Sequence, residues 1–261
     1  MIWLYWGNRT MSFLRYMSLH SACSLNDSVT LIVPRDPIGK YSDQWVEATD
    51  TTTYSGPDYT SMAVRLPNLR IVLLDELYSG IAALGAPEIH TSDLLGWRLL
   101  QQFGGTVADM DIVFVRPVPR IQADAQWTRF AGRPQPAYTP VSFLQGRAGA
   151  FWGEIYNAAL ASYDPCRYES CGAEHLVGRR PSSWRRLPSR TVFPWSERQE
   201  EWPDYHRMTF EEVHPLPDNT IGIHWYAGAN TERNNQITHE NWQCPKTTLS
   251  VAIGKTFHGF D

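Results

Sequence analysis

The stretch Ser92-Asp93-Leu94-Leu95-Gly96-Trp97-Arg98-Leu99-Leu100-Gln101-Gln102-Phe103-Gly104-Gly105-Thr106-Val107-Ala108-Asp109-Met110-Asp111 decides the fold. Leu95, Leu99 and Phe103 recur at spacing four and lay an apolar stripe along one helix face. The helical pattern runs from Ile89 to Phe103. Thr91 or Ser92 can cap it, which puts Asp93 in the first turn, where the helix dipole favours a carboxylate. Gly104-Gly105 ends the helix, because glycine accepts the left-handed backbone needed there. A strand over Thr106 to Val115 is expected to follow at once, so Asp93 and the later aspartates are expected at one edge of a sheet.

Working outward, strand and helix patterns alternate. Ile2 to Trp6 reads as a buried strand and Ser12 to Ser24 as a helix, with Phe13, Tyr16, Met17 and His20 at helical spacing. Val29 to Val33 is a strand closed by Pro34, Asp36 to Asp58 a polar loop, and Leu69 to Leu74 a third strand. In the second half, Val141 to Leu144 and Thr220 to Tyr226 read as strands, and Ala150 to Tyr163 as a helix. Gly178 to Pro203, rich in Arg, Pro and Trp, reads as irregular. This predicts an α/β fold, with a mixed, mostly parallel sheet flanked by helices. With 261 residues, one domain over 1–261 is expected.

Asp109 and Asp111 are two apart, so on a strand they point to one face, with Cα atoms roughly 6–7 Å apart. A lone pair of this kind is commonly a solvated strand end. Here it sits in the apolar run that ends Ile112-Val113-Phe114-Val115. Two charges in such a run cost several kcal/mol unless compensated. A hard divalent cation bound through carboxylate oxygens is the simplest compensation.

The whole run resembles the DXD-motif glycosyltransferases, which include yeast and bacterial α-mannosyl-, α-galactosyl- and related transferases and, more distantly, the clostridial glucosylating toxins. Their pattern, S-D-x-x-R-(Y/W)-x-x-L-x-x-(Y/F)-G-G-x-Y-x-D-x-D, aligns without a gap. It matches at Ser92, Asp93, Trp97, Leu100, Phe103, Gly104, Gly105, Asp109 and Asp111. Gly96 stands where the family carries Arg, and Val107 where Tyr is common. Outside this block the likeness is loose and rests on Trp6-Gly7, Phe13-Leu14-Arg15 and Phe193-Pro194.

The resemblance implies the GT-A nucleotide-diphospho-sugar transferase fold. Residues 1–118 would form the nucleotide-sugar and metal half and residues 119–261 the acceptor half. It implies Mn²⁺ or Mg²⁺ as cofactor, a UDP- or GDP-hexose as donor, and retention at the anomeric carbon. Asp109 and Asp111 would be catalytic and metal-binding. The acceptor stays open among a glycan, a lipid-linked sugar, a protein and a modified nucleic-acid base. Two other readings are a nucleotide-sugar-binding protein with a weakened site, motivated by Gly96, and a nucleotidyltransferase of the same fold. The latter usually needs a Gly-rich triphosphate loop, which Trp6-Gly7-Asn8-Arg9 is not.

Ile221, Ile223 and Trp225 alternate with His224 and Tyr226. His224 alone reads as a hydrogen-bonded sheet histidine. The family often has a late strand ending in His before aromatics near its metal, which raises His224 to a candidate metal ligand. Asn241-Trp242 is a weak stand-in for the family's closing Ser-Trp. Trp6 is a candidate stacking surface for the donor base or a core residue. Arg98, Gln145 and Glu174, with Asp93, are candidate substrate contacts. The arginines 179, 180, 185, 186 and 190 read as a solvated loop, or as a contact for a phosphate-rich acceptor.

Composition sets bounds. Hydrophobic residues make up 43% and charged residues 19%, which permits a packed core. The net charge of -4 implies no global attraction to nucleic acid or anionic membrane. Aromatics make up 13%, with 11 Trp, and suit either a Trp-rich core or sugar and base stacking. Cys23, Cys166, Cys171 and Cys244 do not make a disulfide scaffold, and Cys166, Cys171 and His175 fit no common zinc spacing. The sequons at Asn8 and Asn26 read as chance. No run approaches the ~20 apolar residues of a membrane span, and Met1 to Trp6 is too short for a secretory leader. A soluble, cytoplasmic protein is expected.

Overall fold

Ile2–Tyr5 (β1), Val29–Val33 (β2) and Leu69–Leu73 (β3) are short runs of β-branched, aromatic and leucine residues that pair in parallel. The computed structural model describes residues 1–7, 10–37, 54, 56–128, 139–195, 202–227 and 231–260. The first sequon's Asn8 and most of the expected loop over Asp36 to Asp58 lie outside them.

β1 shows the period-two logic most clearly. Ile2, Leu4 and Trp6 enter one core, and Trp3 and Tyr5 the other. Phe13–Leu25 (α1) packs on the first side and Glu88–Gln102 (α2) on the second. Gly105–Ala108 (β4), Ile112–Phe114 (β5), Ala125–Thr128 (β6), Phe143–Gly146 (β7), Ala150–Ala161 (α3), Trp184–Leu187 (β8), Trp202–Phe210 (α4), Gly222–His224 (β9), Thr231–Gln236 (α5) and Thr248–Ile253 (α6) follow. The fold is α/β. The main seven-stranded sheet has the order β3-β2-β1-β4-β7-β6-β8, and among its strands only β7 runs against its neighbours. Trp97, Trp127 and Trp152 are buried together beneath it, so for these three the core reading of tryptophan holds. Among the described residues no helix is long and apolar enough to cross a membrane.

The chain winds from β1 outward through β2 to β3, then returns through α2 to place β4 on the other side of β1. That reversal makes a topological switch point between β1 and β4. Crevices open at such points, at the carboxyl ends of the strands. The β1–β4 ladder stops at Trp3 and Val107, so the strands part just before Trp6 and Asp109.

Several expectations need correction. The predicted strand over Thr106 to Val115 is two strands in two sheets. β4 ends at Ala108, and β5 pairs instead with β9, Ile112 opposite His224. The β7 register would set Pro140 opposite Asp111, and a proline has no N–H for the ladder. β5 is captured by α1, where Ser21 Oγ accepts the Phe114 amide at 2.9 Å. The stretch expected to be irregular contains β8, which pairs in parallel with β6. Its exposed Arg185 and Arg186 hide the strand pattern, and charge is common on an edge strand, where it blocks further pairing. Phe103 lies past the end of α2 and is 48% exposed, its ring 5.5 Å from Trp3.

α2 also begins earlier than its sequence suggests. Pro87 is its N-cap, and Glu88 occupies the first turn, so Asp93 falls in the second. A proline beside the first turn is favourable because its fixed φ suits the helix start. Glu88 Oε1 accepts the Gly7 amide at 2.9 Å, fastening the helix to the loop after β1.

Candidate metal centre

Asp109, Asp111 and His224 converge at the switch point, each offering one ligand atom, all within 4.8 Å of one another. Among the described residues no other group of three His, Cys, Asp or Glu side chains does so. The two aspartates meet through the turn between β4 and β5, not through the pleat of one strand. Asp109 leaves β4 with its amide still bonded to the Ser142 carbonyl at 2.9 Å, and its side chain is 40% exposed.

Asp111 is buried and held at three points. Its carbonyl accepts the Trp225 amide at 2.9 Å, its Oδ2 accepts the Ala227 amide at 2.8 Å, and its Oδ1 lies 3.0 Å from His224 Nε2. Oδ1 accepts no hydrogen bond of regular geometry. Burial works against its charge, but the neighbouring His224, the Arg15 guanidinium and the Ala227 amide outweigh it. They hold the Asp111 carboxyl well below the usual carboxylate range.

His224 ends β9. Its amide donates to the Val192 carbonyl at 2.9 Å, and its carbonyl accepts the buried Tyr205 hydroxyl at 2.9 Å. Burial first, and the Asp111 charge second, push the Tyr205 hydroxyl far above its ordinary range, so it stays a neutral donor. The His224 ring is walled by Tyr226 at 4.0 Å and Phe193 at 5.3 Å. Nε2 faces both carboxylates, 3.8 Å from Asp109 Oδ2. Tyr226 has φ +53°, a left-handed backbone that is strained for a bulky residue and clusters at functional sites. That kink turns the Ala227 amide onto Asp111.

The donor set fits a divalent cation. A buried carboxylate oxygen without a regular hydrogen bond, a second, half-exposed carboxylate and an imidazole nitrogen lie close enough to share one ion. Carboxylates suit Mg²⁺ and Mn²⁺, and the imidazole favours the transition metal.

The other sequence candidates are not members of this three-residue cluster. Arg98 donates to Gln101 Oε1 at 2.6 Å and rests between the rings of Tyr78 and Tyr156. Glu174 is clamped by Arg167 at 2.6 and 2.9 Å. Asp93 lies beside the buried Cys171, whose thiol is pushed up to about 12, mainly by burial and then by Asp93. Trp6 is buried, with the Arg15 guanidinium 5.1 Å from its ring centre. His175 Nε2 bonds the Ser170 carbonyl at 2.8 Å, so the Cys166, Cys171, His175 trio is not a metal cluster. Gly96 and Val107, the two departures from the family pattern, face each other. A Cβ on Gly96 would lie 3.2 Å from Val107 Cγ1.

Gln145 is fully buried and belongs to the sheet. Its Nε2 donates to Thr106 Oγ1 at 3.0 Å and the Pro119 carbonyl at 3.1 Å, and its Oε1 accepts from Gln126 at 3.1 Å. Removing it strands polar groups on β4, on β6 and at Pro119. Gln145→Leu should therefore cost about 2–3 kcal/mol in urea denaturation, while leaving metal affinity near that of the parent. A large loss of metal affinity at unchanged stability would put Gln145 at the site instead.

Arg15 is the residue that sequence reasoning passed over as a site candidate. It sits in the first turn of α1, where its positive charge opposes the helix dipole. That mismatch was the available signal.

No protein-family model matches the sequence, and no curated protein matches it. Among solved structures the chain is similar to "PaToxG Glycosyltransferase", at 14% sequence identity and a TM-score of 0.48. The similarity covers 67% of this chain and 66% of that one, so the chain spans just under two thirds of that structure's length.

Proposed function

We propose that this chain is a metal-dependent glycosyltransferase that moves a hexose from a UDP- or GDP-sugar to an acceptor with retention of configuration. The observation that carries this reading is the convergence of Asp109, Asp111 and His224 at the switch-point crevice, with a buried Asp111 oxygen aimed into the cluster. The resemblance of Ser92 to Asp111 to the DXD pattern supports it independently. Asp111, Asp109 and His224 would hold Mn²⁺ or Mg²⁺. When bound, the ion supplies Lewis acidity that stabilises charge on the leaving diphosphate.

The chain's own residues do the positioning. The Ala227 amide fixes the Asp111 carboxylate and the Trp225 amide its backbone carbonyl, Tyr205 fixes the end of β9, and Phe193 and Tyr226 shield the imidazole from water. Fixed ligands of this kind need no reorganisation as charge develops. Residues 1–118 would supply most of the donor side and residues 119–261 the acceptor side and His224. The acceptor class remains one of glycan, lipid-linked sugar, protein or modified nucleic-acid base.

Calorimetry with a panel of UDP- and GDP-sugars should show binding in Mn²⁺ that EDTA abolishes, with NMR of the product reporting the new linkage. Equal affinity with and without metal removes the central claim. Tight metal-dependent binding without turnover favours the alternative of a nucleotide-sugar-binding protein, to which the Gly96–Val107 pair points.

A further inference from the structure

Arg15 has features that helix stability does not explain. Its guanidinium carbon lies 5.1 Å from the ring centre of Trp6, which follows β1, and 5.8 Å from that of Trp225, which follows His224. Indole rings thus flank the guanidinium, leaving its in-plane N–H edge as the polar surface. Among the described residues, that edge has no carboxylate within ion-pair distance and no side-chain hydrogen-bond acceptor; the bond that Arg15 does make, to Ser12 Oγ, uses its backbone amide. A half-buried arginine with five donors and no acceptor is poised for a ligand.

Charge identifies the ligand. Asp109 and Asp111 bring two negative charges, which a divalent cation cancels. Arg15 then leaves the loaded crevice net positive, and the N-terminus of α1 adds to the same sign. Such a site takes an anion with more than one charge. A guanidinium fork matches phosphate oxygens in paired hydrogen bonds. Resting on the proposed function, we infer that Arg15 binds the donor's diphosphate through its forked edge, on the Trp6–Trp225 side of the crevice.

Arg15→Met keeps an unbranched apolar stem between the indoles and removes the charge. In saturating Mn²⁺, calorimetry of the full chain with UDP, GDP and inorganic pyrophosphate should show affinities lower by roughly tenfold to a hundredfold. Uridine and guanosine should bind as before. Mn²⁺ affinity, read by electron paramagnetic resonance without nucleotide, should be unchanged or tighter, because a repelling charge has gone. Diphosphate affinity equal to the parent's overturns the inference, as does an equal loss for diphosphates and nucleosides, which would mark a merely structural role. Should Arg15→Met not fold, Arg15→Lys keeps charge and stem but not the fork. A loss confined to diphosphates then supports the inference, and undiminished affinity overturns it. Failure of the parent protein to bind Mn²⁺ is a different result. It sinks the proposed function, and pyrophosphate titration in metal-free buffer then decides Arg15 alone.

Discussion

Asp111→Asn is expected to abolish metal-dependent donor binding and to lower turnover roughly a thousandfold, about 4 kcal/mol, while the fold survives. The side chain holds its place through Oδ2, which accepts the Ala227 amide, and an asparagine oxygen can accept the same bond. The carbonyl bond from Trp225 is untouched. What changes is the atom aimed into the cluster. Asp111 Oδ1, an anionic ligand 3.0 Å from His224 Nε2, becomes an amide NH₂ that donates and cannot bind a cation. Asp109 is half-exposed and His224 is neutral when ligating, so neither replaces the lost charge. The check has two parts: Mn²⁺ affinity with turnover, and the melting temperature. Near-parental turnover in a folded variant would show that Asp111 is not the ligand, and collapse of the fold would show that its role is structural.

The parts of this molecule legible in its sequence are those fixed by local pattern. β1 and β2 stand out because both faces are buried, and an unbroken apolar run says so directly. Gly104-Gly105 marks the joint between α2 and β4 because a backbone conformation, not a packing choice, requires glycine. The aspartate pair was visible as a motif, but its geometry was not. Only the β7 register reveals Pro140 opposite Asp111 and hence the break at Ala108. His224 has no local signature; the resemblance suggested it, and the long-range pairing of Ile112 with His224 places it beside Asp111. For Gln145, a buried amide in a polar ladder looks, in one dimension, like an amide offered to a ligand. β8 was missed for the converse reason, since edge charges erase the alternation that marks a strand.

Gly104→Ala should be a damaging single-methyl change in the joint, costing about 3 kcal/mol, and it should weaken metal binding from a distance. Gly104 has φ +65°, where a Cβ is strained. That Cβ would lie 2.6 Å from the Ala148 amide nitrogen, 2.8 Å from the Gly146 carbonyl oxygen and 3.0 Å from the Arg147 carbonyl carbon. These are backbone atoms at the end of β7, so no rotamer change relieves the clash; either β7 or the end of α2 must shift. β7 is the strand whose approach, through Ser142, holds the Asp109 amide, and Gly104's own carbonyl accepts the Trp3 indole at 2.8 Å. A shift of either therefore reaches the carboxyl end of β4. Gly85 supplies the control. Its φ of +57° carries similar backbone strain, but nothing lies within 4 Å of its absent Cβ. Gly85→Ala should thus cost only about 1 kcal/mol, and the difference between the two variants in urea denaturation isolates the clash. Mn²⁺ affinity should fall in Gly104→Ala and stay put in Gly85→Ala. Equal stability losses in the two would mean that the α2–β4 joint is slack, and that Asp109 is positioned from the β5–β9 side instead.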